Sequence, residues 1–327
     1  MAREGPDPFA GYVSQMTTTR RVWVALGTVY VVWGSTYLGI KVAIETIPPF
    51  VMAGTRFLIA GGVLYAAVIR RGDATCDPIG RAQWLSATLI GGLLLGANGV
   101  LSWVELRVPT GAAALIIASV PIWMAIIAGL LGQERVGVRT VAGLVVGLGG
   151  IALLVRSVES AGGRASTPVI LLLVLVAISW AAGSVLSRRV KLPKRPLVAT
   201  GMEMICGGAV LAIAGIVSGE FGRLHPSQIS GASIAGLVYL IVVGSWVGFS
   251  TYVWLLRSAP PSLVSTYAYV NPVVAVFLGW VFLGESVTGL TILAAALIVG
   301  AVALIVLAQA GRPAAVGTTV PTPPEFT

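Results

Sequence analysis

The segments WGSTYLGIKVAIETIPP (residues 33–49) and WAAGSVLSRRVKLPKRP (residues 180–196) decide how this chain folds. Each opens on tryptophan, carries a basic residue at the same interval (Lys41, Arg188) and closes on proline (Pro49, Pro196). The offset of 147 continues through Gly54 with Gly201 and Gly61 with Gly208. After a four-residue insertion the offset is 151, pairing Trp103 with Trp254, Pro109 with Pro260, Pro121 with Pro272, Glu134 with Glu285, Thr140 with Thr291 and Gly149 with Gly300. Tryptophan, proline and glycine are poor candidates for chance agreement at one period, so the chain is an internal repeat.

What is repeated is apolar. Of the 327 residues, 57% are hydrophobic and 10% charged, against about 25% charged in a soluble domain. A membrane span needs roughly 20 apolar residues. Ten stretches qualify: 22–41, 49–69, 82–104, 110–131, 138–155, 168–187, 197–217, 231–254, 262–283 and 287–308. Each repeat therefore holds five spans, and an odd number makes the second copy enter the bilayer from the opposite side. The expected fold is an all-α integral membrane protein of ten transmembrane helices in two inverted-topology five-helix repeats. Its expected divisions are a cytoplasmic N-terminal tail (1–20), a first repeat (21–156), a second repeat (165–308) and a disordered cytoplasmic tail (309–327) rich in Pro and Thr. The first twenty residues lack the apolar core and small-residue cleavage site of a signal peptide, so the first span reads as an uncleaved anchor.

A net charge of +9 could suggest nucleic acid, but the basic residues are sorted by loop. With both termini in the cytoplasm, fifteen of the 21 Lys and Arg fall on the inner side, led by RRVKLPKR (188–195), and five on the outer side. That is a positive-inside signal. The expected location is the cytoplasmic membrane, multi-pass, with both termini inside. The two cysteines (Cys76 in an inner loop, Cys206 within a span) predict no disulfide. A single histidine, His225, excludes a His-based metal cluster or a His-dependent triad. Glycine runs such as GGLLLG (91–96) follow no strand and precede no lysine, so they fail as phosphate loops and read as helix-crossing residues. No cofactor, metal or catalytic group is expected.

Inverted repeats with a site near the midplane are a recurring plan of secondary transporters. The residues WGSTY (33–37), PPFVMAGTRFLIAG (48–61), SWAAGSVLSRRVKLP (179–193), MEMICGG (202–208) and STYAYVNPVVAVFLG (265–279) carry a family resemblance as well. On them the chain resembles the drug/metabolite transporter superfamily, EamA-type, in its YedA-like inner-membrane branch. The resemblance implies ten helices, alternating access and export of small metabolites or drugs, with a site among helices 1, 3, 4, 6, 8 and 9. It names no substrate.

The polar residues inside the spans supply the site candidates. Trp33 and Tyr37 lie on one stripe of the first helix, with Trp180 and Ser184 on its match in the sixth. An aromatic–polar stripe at mid-span should face protein or water, because lipid offers it no hydrogen-bond partner. In STYAYVNP of the ninth helix, Tyr267 and Asn271 share a face, and Pro272 frees a backbone carbonyl. Its match, Pro121, lacks the polar neighbours, so the two prolines are expected to break the fourth and ninth helices with the polar equipment in one half. Asn98, in GANGV of the third helix, is a weaker substrate-binding candidate, as are Ser245 and Tyr252 of the eighth. Arg56 and Glu203 stand at equivalent repeat positions with opposite charge. Intramembrane charges are costly and so are functional candidates, for coupling above all. Arg56 is expected to reach outward to carbonyls or headgroups. Glu203 is too short to do so and is expected either to titrate or to bond across helices.

Two other readings stay open. A non-transporting lipid-carrier or scaffold subunit would lack an aqueous path, and an intramembrane lipid-modifying enzyme would need a reactive set this sequence does not offer. The expected partners are a small-molecule solute and membrane lipids, without nucleic acid; a homodimer is left open.

Overall fold

The computed structural model describes residues 8–71, 79–132, 138–160, 167–187, 189–258 and 267–310. Among them there is no strand, and ten long helices follow one another, with a short helical turn, Glu220–Arg223, and a 3-10 turn, Pro226–Gln228, between the seventh and the eighth. They are α1 (Pro8–Ala43), α2 (Pro49–Ile69), α3 (Arg81–Val104), α4 (Thr110–Leu130), α5 (Val138–Ser160), α6 (Thr167–Leu186), α7 (Pro196–Val217), α8 (running from Gly231 to Ser258), α9 (Tyr267–Leu283) and α10 (Gly289–Ala310). Seven of them are long and apolar enough to cross a membrane, and Val270–Leu283 and Gly289–Ala301 are shorter apolar stretches. The expected spans are met within a few residues. The clearest difference is α1, which begins at Pro8 rather than near residue 22. Membrane thickness limits the apolar stretch, whereas a helix can continue past it into polar sequence. The expected disordered tail lies almost wholly outside the described residues, as do Glu134, Arg188 and Cys76.

The termini of the helices show why they start and stop where they do. Pro49 and Pro196 stand at the first turn of α2 and α7, where the missing N–H is no loss. Ser230 caps α8 by accepting the N–H of Ser233 at 3.0 Å. Two further caps come from across the molecule. Gly219 (φ 71°) and Gly284 (φ 64°) end α7 and α9 in the left-handed region that favours glycine. Each turn delivers a carboxylate to the start of a distant helix. Glu220 accepts from Phe50 N (2.8 Å) and Val51 N (3.1 Å) at the start of α2. Glu285 accepts from Thr110 N (2.6 Å), Thr110 Oγ1 (2.5 Å) and Gly111 N (3.2 Å) at the start of α4. A carboxylate there satisfies orphan donors and complements the helix dipole.

The packing follows the repeat. The matched helices α2 and α7 pack on each other, as do the matched pair α5 and α10. The remaining contacts come in matched sets: α1 on α9 mirrors α6 on α4, and α1 on α8 mirrors α6 on α3. At the α2–α7 crossing stand the glycines that the repeat paired. A Cβ on Gly54 would sit 3.3 Å from Gly208 O, one on Gly208 3.2 Å from Gly54 O, and one on Gly61 2.8 Å from Gly201 O. Backbones this close admit only small residues. The α5–α10 pair repeats the device, with Gly150 against Ile298 N at 3.1 Å. Both α3 and α8 contain a π-helical stretch, Gly92–Gly96 and Leu240–Val247, at corresponding places in the two halves. Such bulges shift the side chains that follow and gather at functional sites.

Candidate functional site

Between the halves lies a cavity of about 110 Å³ bounded by α1, α2, α3, α4, α6, α8 and α9. Trp33 forms its aromatic wall. Its ring packs on Tyr252 (centroids 4.8 Å apart), Tyr267 (5.0 Å) and Phe249 (5.4 Å), and Gly248 leaves room for the indole. Tyr252 and Tyr267 share a side-chain hydrogen bond. Tyr37, one turn along from Trp33, lines the cavity too, and Trp180 faces it from α6 beside Val120 and Ile117. Gly34 presses α1 against Val274 and Asn271 of α9, so the stripe both lines the cavity and packs helices.

Polar groups converge on the same space. Asn98, Asn271 and Thr36 line it. The Asn98 Oδ1 is buried without a hydrogen-bond partner, an expensive condition that a bound donor would relieve. Arg56 is the cavity's cation. It is 3% exposed, donates from Nε to Ser245 Oγ at 3.2 Å and lies 4.7 Å from the Phe57 ring centroid. The expectation that it snorkels outward is therefore corrected. The π-helical stretch of α8 brings Ser245 to it, and lining a polar cavity solvates a guanidinium better than stretching through lipid.

Of the residues singled out from sequence, Trp33, Tyr37, Asn98, Trp180, Tyr267, Asn271, Arg56, Pro121 and Pro272 meet around this one cavity. Ser184 and Glu203 do not. The Ser184 hydroxyl turns back to Trp180 O at 2.8 Å, the local bond that serine makes inside a helix. Glu203 is half-buried on α7, where its backbone carbonyl abuts Gly91 of α3. No ion pair joins Arg56 to Glu203 among the described residues. The two prolines also differ. α4 is interrupted at Ala118–Ser119, just before Pro121, whereas α9 runs on through Pro272. A proline removes one backbone bond, and the bonds on either side can still hold a helix packed among neighbours. Thr36 and Phe249 were not legible beforehand, because nothing in an apolar span marks which residue neighbours a cavity.

A second polar cluster closes one end of the bundle, at the α1–α2 and α3–α4 connections. Lys41 Nζ donates to the backbone oxygen of Glu105. Glu105, one residue past α3, is 0% exposed, and neither carboxylate oxygen has a hydrogen-bond partner. Glu285 and Tyr37 are its near neighbours. Glu105 lies just beyond the expected third span (82–104), so its place in the sequence does not mark it as an intramembrane charge. Glu220, between α7 and α8, is held above the usual carboxylate range by burial, against the pull of the two N–H donors it accepts from. Elsewhere, an open groove of about 640 Å³ runs between α1 and α8 past Arg20, Arg21 and Trp254, without the convergent polar groups of the central cavity.

Ten membrane helices in two inverted halves, with an aromatic and amide-lined cavity between them, define a membrane solute transporter rather than an enzyme. The EamA-like transporter family matches residues 22–156 and 167–307, and the chain belongs to that family. It is 40% identical over 288 residues to the "Uncharacterized inner membrane transporter YedA" of Escherichia coli (strain K12), covering 87% of this chain and 90% of that one. It is 25% identical over 282 residues to a Salmonella typhimurium protein named "Probable amino-acid metabolite efflux pump", covering 83% and 89%. A solved crystal structure, 24% identical, superposes with a TM-score of 0.59 over 89% of this chain and 99% of that chain, a likeness of fold.

Proposed function

We propose that this protein is a secondary exporter of small amphipathic solutes that carry an anionic or zwitterionic head, working by alternating access with the central cavity as its site. The observation that supports this most is Arg56, a buried cation beside an aromatic wall with no carboxylate paired to it among the described residues. A guanidinium suits a carboxylate or phosphate, which it can grip with two N–H donors. Trp33 and Trp180 would hold an apolar body, and the free Asn98 Oδ1 would accept from an ammonium or hydroxyl group. The name of the Salmonella typhimurium relative, an amino-acid metabolite efflux pump, is consistent with that chemistry.

In this reading residues 21–156 and 165–308 are the two moving halves, both termini are cytoplasmic, and the Lys41–Glu105 end faces outward. Binding of solute on Arg56 would act on the Arg56–Ser245 bond that joins α2 to α8. Purified protein in proteoliposomes, screened by counterflow with amino acids, aromatic carboxylates and cationic drugs, tests the proposal. Exchange of a carboxylate-bearing solute that is lost in Arg56→Gln supports it. Exchange of cations alone, unaffected by Arg56→Gln, rejects the assignment of the head group. Absence of any exchange favours the scaffold reading.

A further inference from the structure

Three groups from three separate elements meet at the closed end: Lys41 at the end of α1, Glu105 after α3, and Glu285 from the α9–α10 connection. Lys41 supplies one positive charge, and two ionised carboxylates would leave the cluster one negative charge in excess. The site is dry: Glu105 is 0% exposed, and Leu101, Val104 and Val108 beside it are buried. An ionised carboxylate without hydrogen bonds in such surroundings is among the costliest conditions in a protein.

The hydrogen bonds distinguish the two acids, and only Glu105 lacks any donor that could hold a negative charge. Both oxygens of Glu285 accept from donors at the start of α4, three bonds in all, so its negative charge is stabilised in place. Glu105 has no donor on either oxygen, and the ammonium of Lys41 is engaged by its backbone carbonyl instead. Other charged or titratable groups do not change the balance. Tyr37 faces Glu105 from α1, Arg107 lies outward over the Trp103 ring at 3.9 Å, and α4 and α6 carry no titratable residue within their helices.

We infer that Glu105 is a proton-binding site, protonated while this end of the bundle is closed and giving its proton to water as α1, α3 and the α9–α10 connection part. The step is a plain exchange in which the carboxylic acid becomes carboxylate and a water molecule takes the proton. Tyr37 joins this end to the solute cavity, since it lines the cavity and belongs to the same buried cluster as Leu101, Val104 and Val108 around Glu105. Opening of the cavity towards this end is thus linked to the proton concentration there. The inference rests on the transport reading for its purpose and names the proton as the ion to which that transport responds.

The test needs no solute. Full-length protein with Cys76 and Cys206 replaced by serine is placed in lipid nanodiscs with one reporter cysteine. Ala112→Cys reports the closed end, being 5% exposed on the first turn of α4. Thr46→Cys, exposed at the same end, corrects for ionisation of the thiol itself. The ratio of labelling at 112 to labelling at 46 is followed with a water-soluble maleimide from about pH 5 to pH 9. It should stay low in acid and rise with pH, by up to about tenfold per unit for one linked proton. Glu105→Gln should hold the ratio low throughout, because a neutral amide mimics the protonated acid. Lys41→Gln should move the rise to higher pH, since losing the positive charge favours the bound proton, and it serves equally if Glu105→Gln fails to fold. Glu203→Gln should keep the wild-type profile. A flat ratio in the wild type, an unchanged rise in Glu105→Gln, or a rise abolished by Glu203→Gln overturns the proposal. Any of these leaves the transport reading standing on solute exchange. A pH-dependent end in a protein that exchanges no solute would reject the transport reading instead.

Discussion

Arg56 Nε donates to Ser245 Oγ across 3.2 Å, joining α2 of the first half to the π-helical stretch of α8 in the second. The bond directs the guanidinium into the cavity instead of toward lipid. Ser245→Ala removes one neutral acceptor from a charged donor. It should weaken solute binding by roughly 1.5–3 kcal/mol if the bond is needed to aim Arg56. Arg56→Lys should weaken it further, because an ammonium cannot make the forked contact. Affinities of purified variants for the solute found in the counterflow screen check both.

Tyr37→Ala and Asn271→Ala should each lower solute affinity by about 0.5–1.5 kcal/mol per lost hydrogen bond, with the protein folded and in the membrane. Ser184→Ala is the contrast, since its hydroxyl is spent on Trp180 O. It should bind as the wild type does. Equal losses in all three would mean that general destabilisation, not the cavity, is being read.

At the crossing of α2 and α7, Gly61→Val would drive a side chain into Gly201 O and Met204 Cβ, at 2.8 Å and 2.6 Å from a Cβ at that position. Overpacking of this kind costs about 1–3 kcal/mol or more. A clear drop in melting temperature in detergent is expected. Gly62→Val, with nothing near its Cβ, should leave it almost unchanged.

Removing the cap on α4 has a separate signature. Glu285→Ala leaves Thr110 N and Gly111 N without their acceptor, at about 0.5–2 kcal/mol. Glu285→Gln keeps an acceptor oxygen and should retain part of that. Hydrogen exchange at the first turn of α4 should rise most in the alanine variant.

Orientation is tested by cysteines at positions 192 and 46, which the charge asymmetry puts on opposite sides. In intact cells a membrane-impermeant reagent outside should reach 46 and miss 192. The reverse result would invert the bundle and put the Lys41–Glu105 end in the cytoplasm.

Much of this protein is determined by sequence alone. Span number, the repeat and its inversion follow from a solvent that permits only closed hydrogen-bonding units of fixed length, so apolar run lengths and paired prolines and glycines suffice. The same solvent makes a polar side chain at mid-span conspicuous, so Trp33, Tyr37, Asn98, Asn271 and Arg56 are legible from sequence without knowledge of their neighbours. Tertiary structure decided where those side chains point. Arg56 turns inward because α8 brings Ser245 to it, and Ser184 bonds to its own helix. Neither outcome is encoded in the residue's own segment. Glu105 shows the limit most plainly. One residue beyond a span it looks like any loop acid, and only the meeting of α1, α3 and the α9–α10 connection encloses it. Burial is a property of the neighbours that packing brings, and long-range contacts between two halves of a duplicated chain leave no local mark on either.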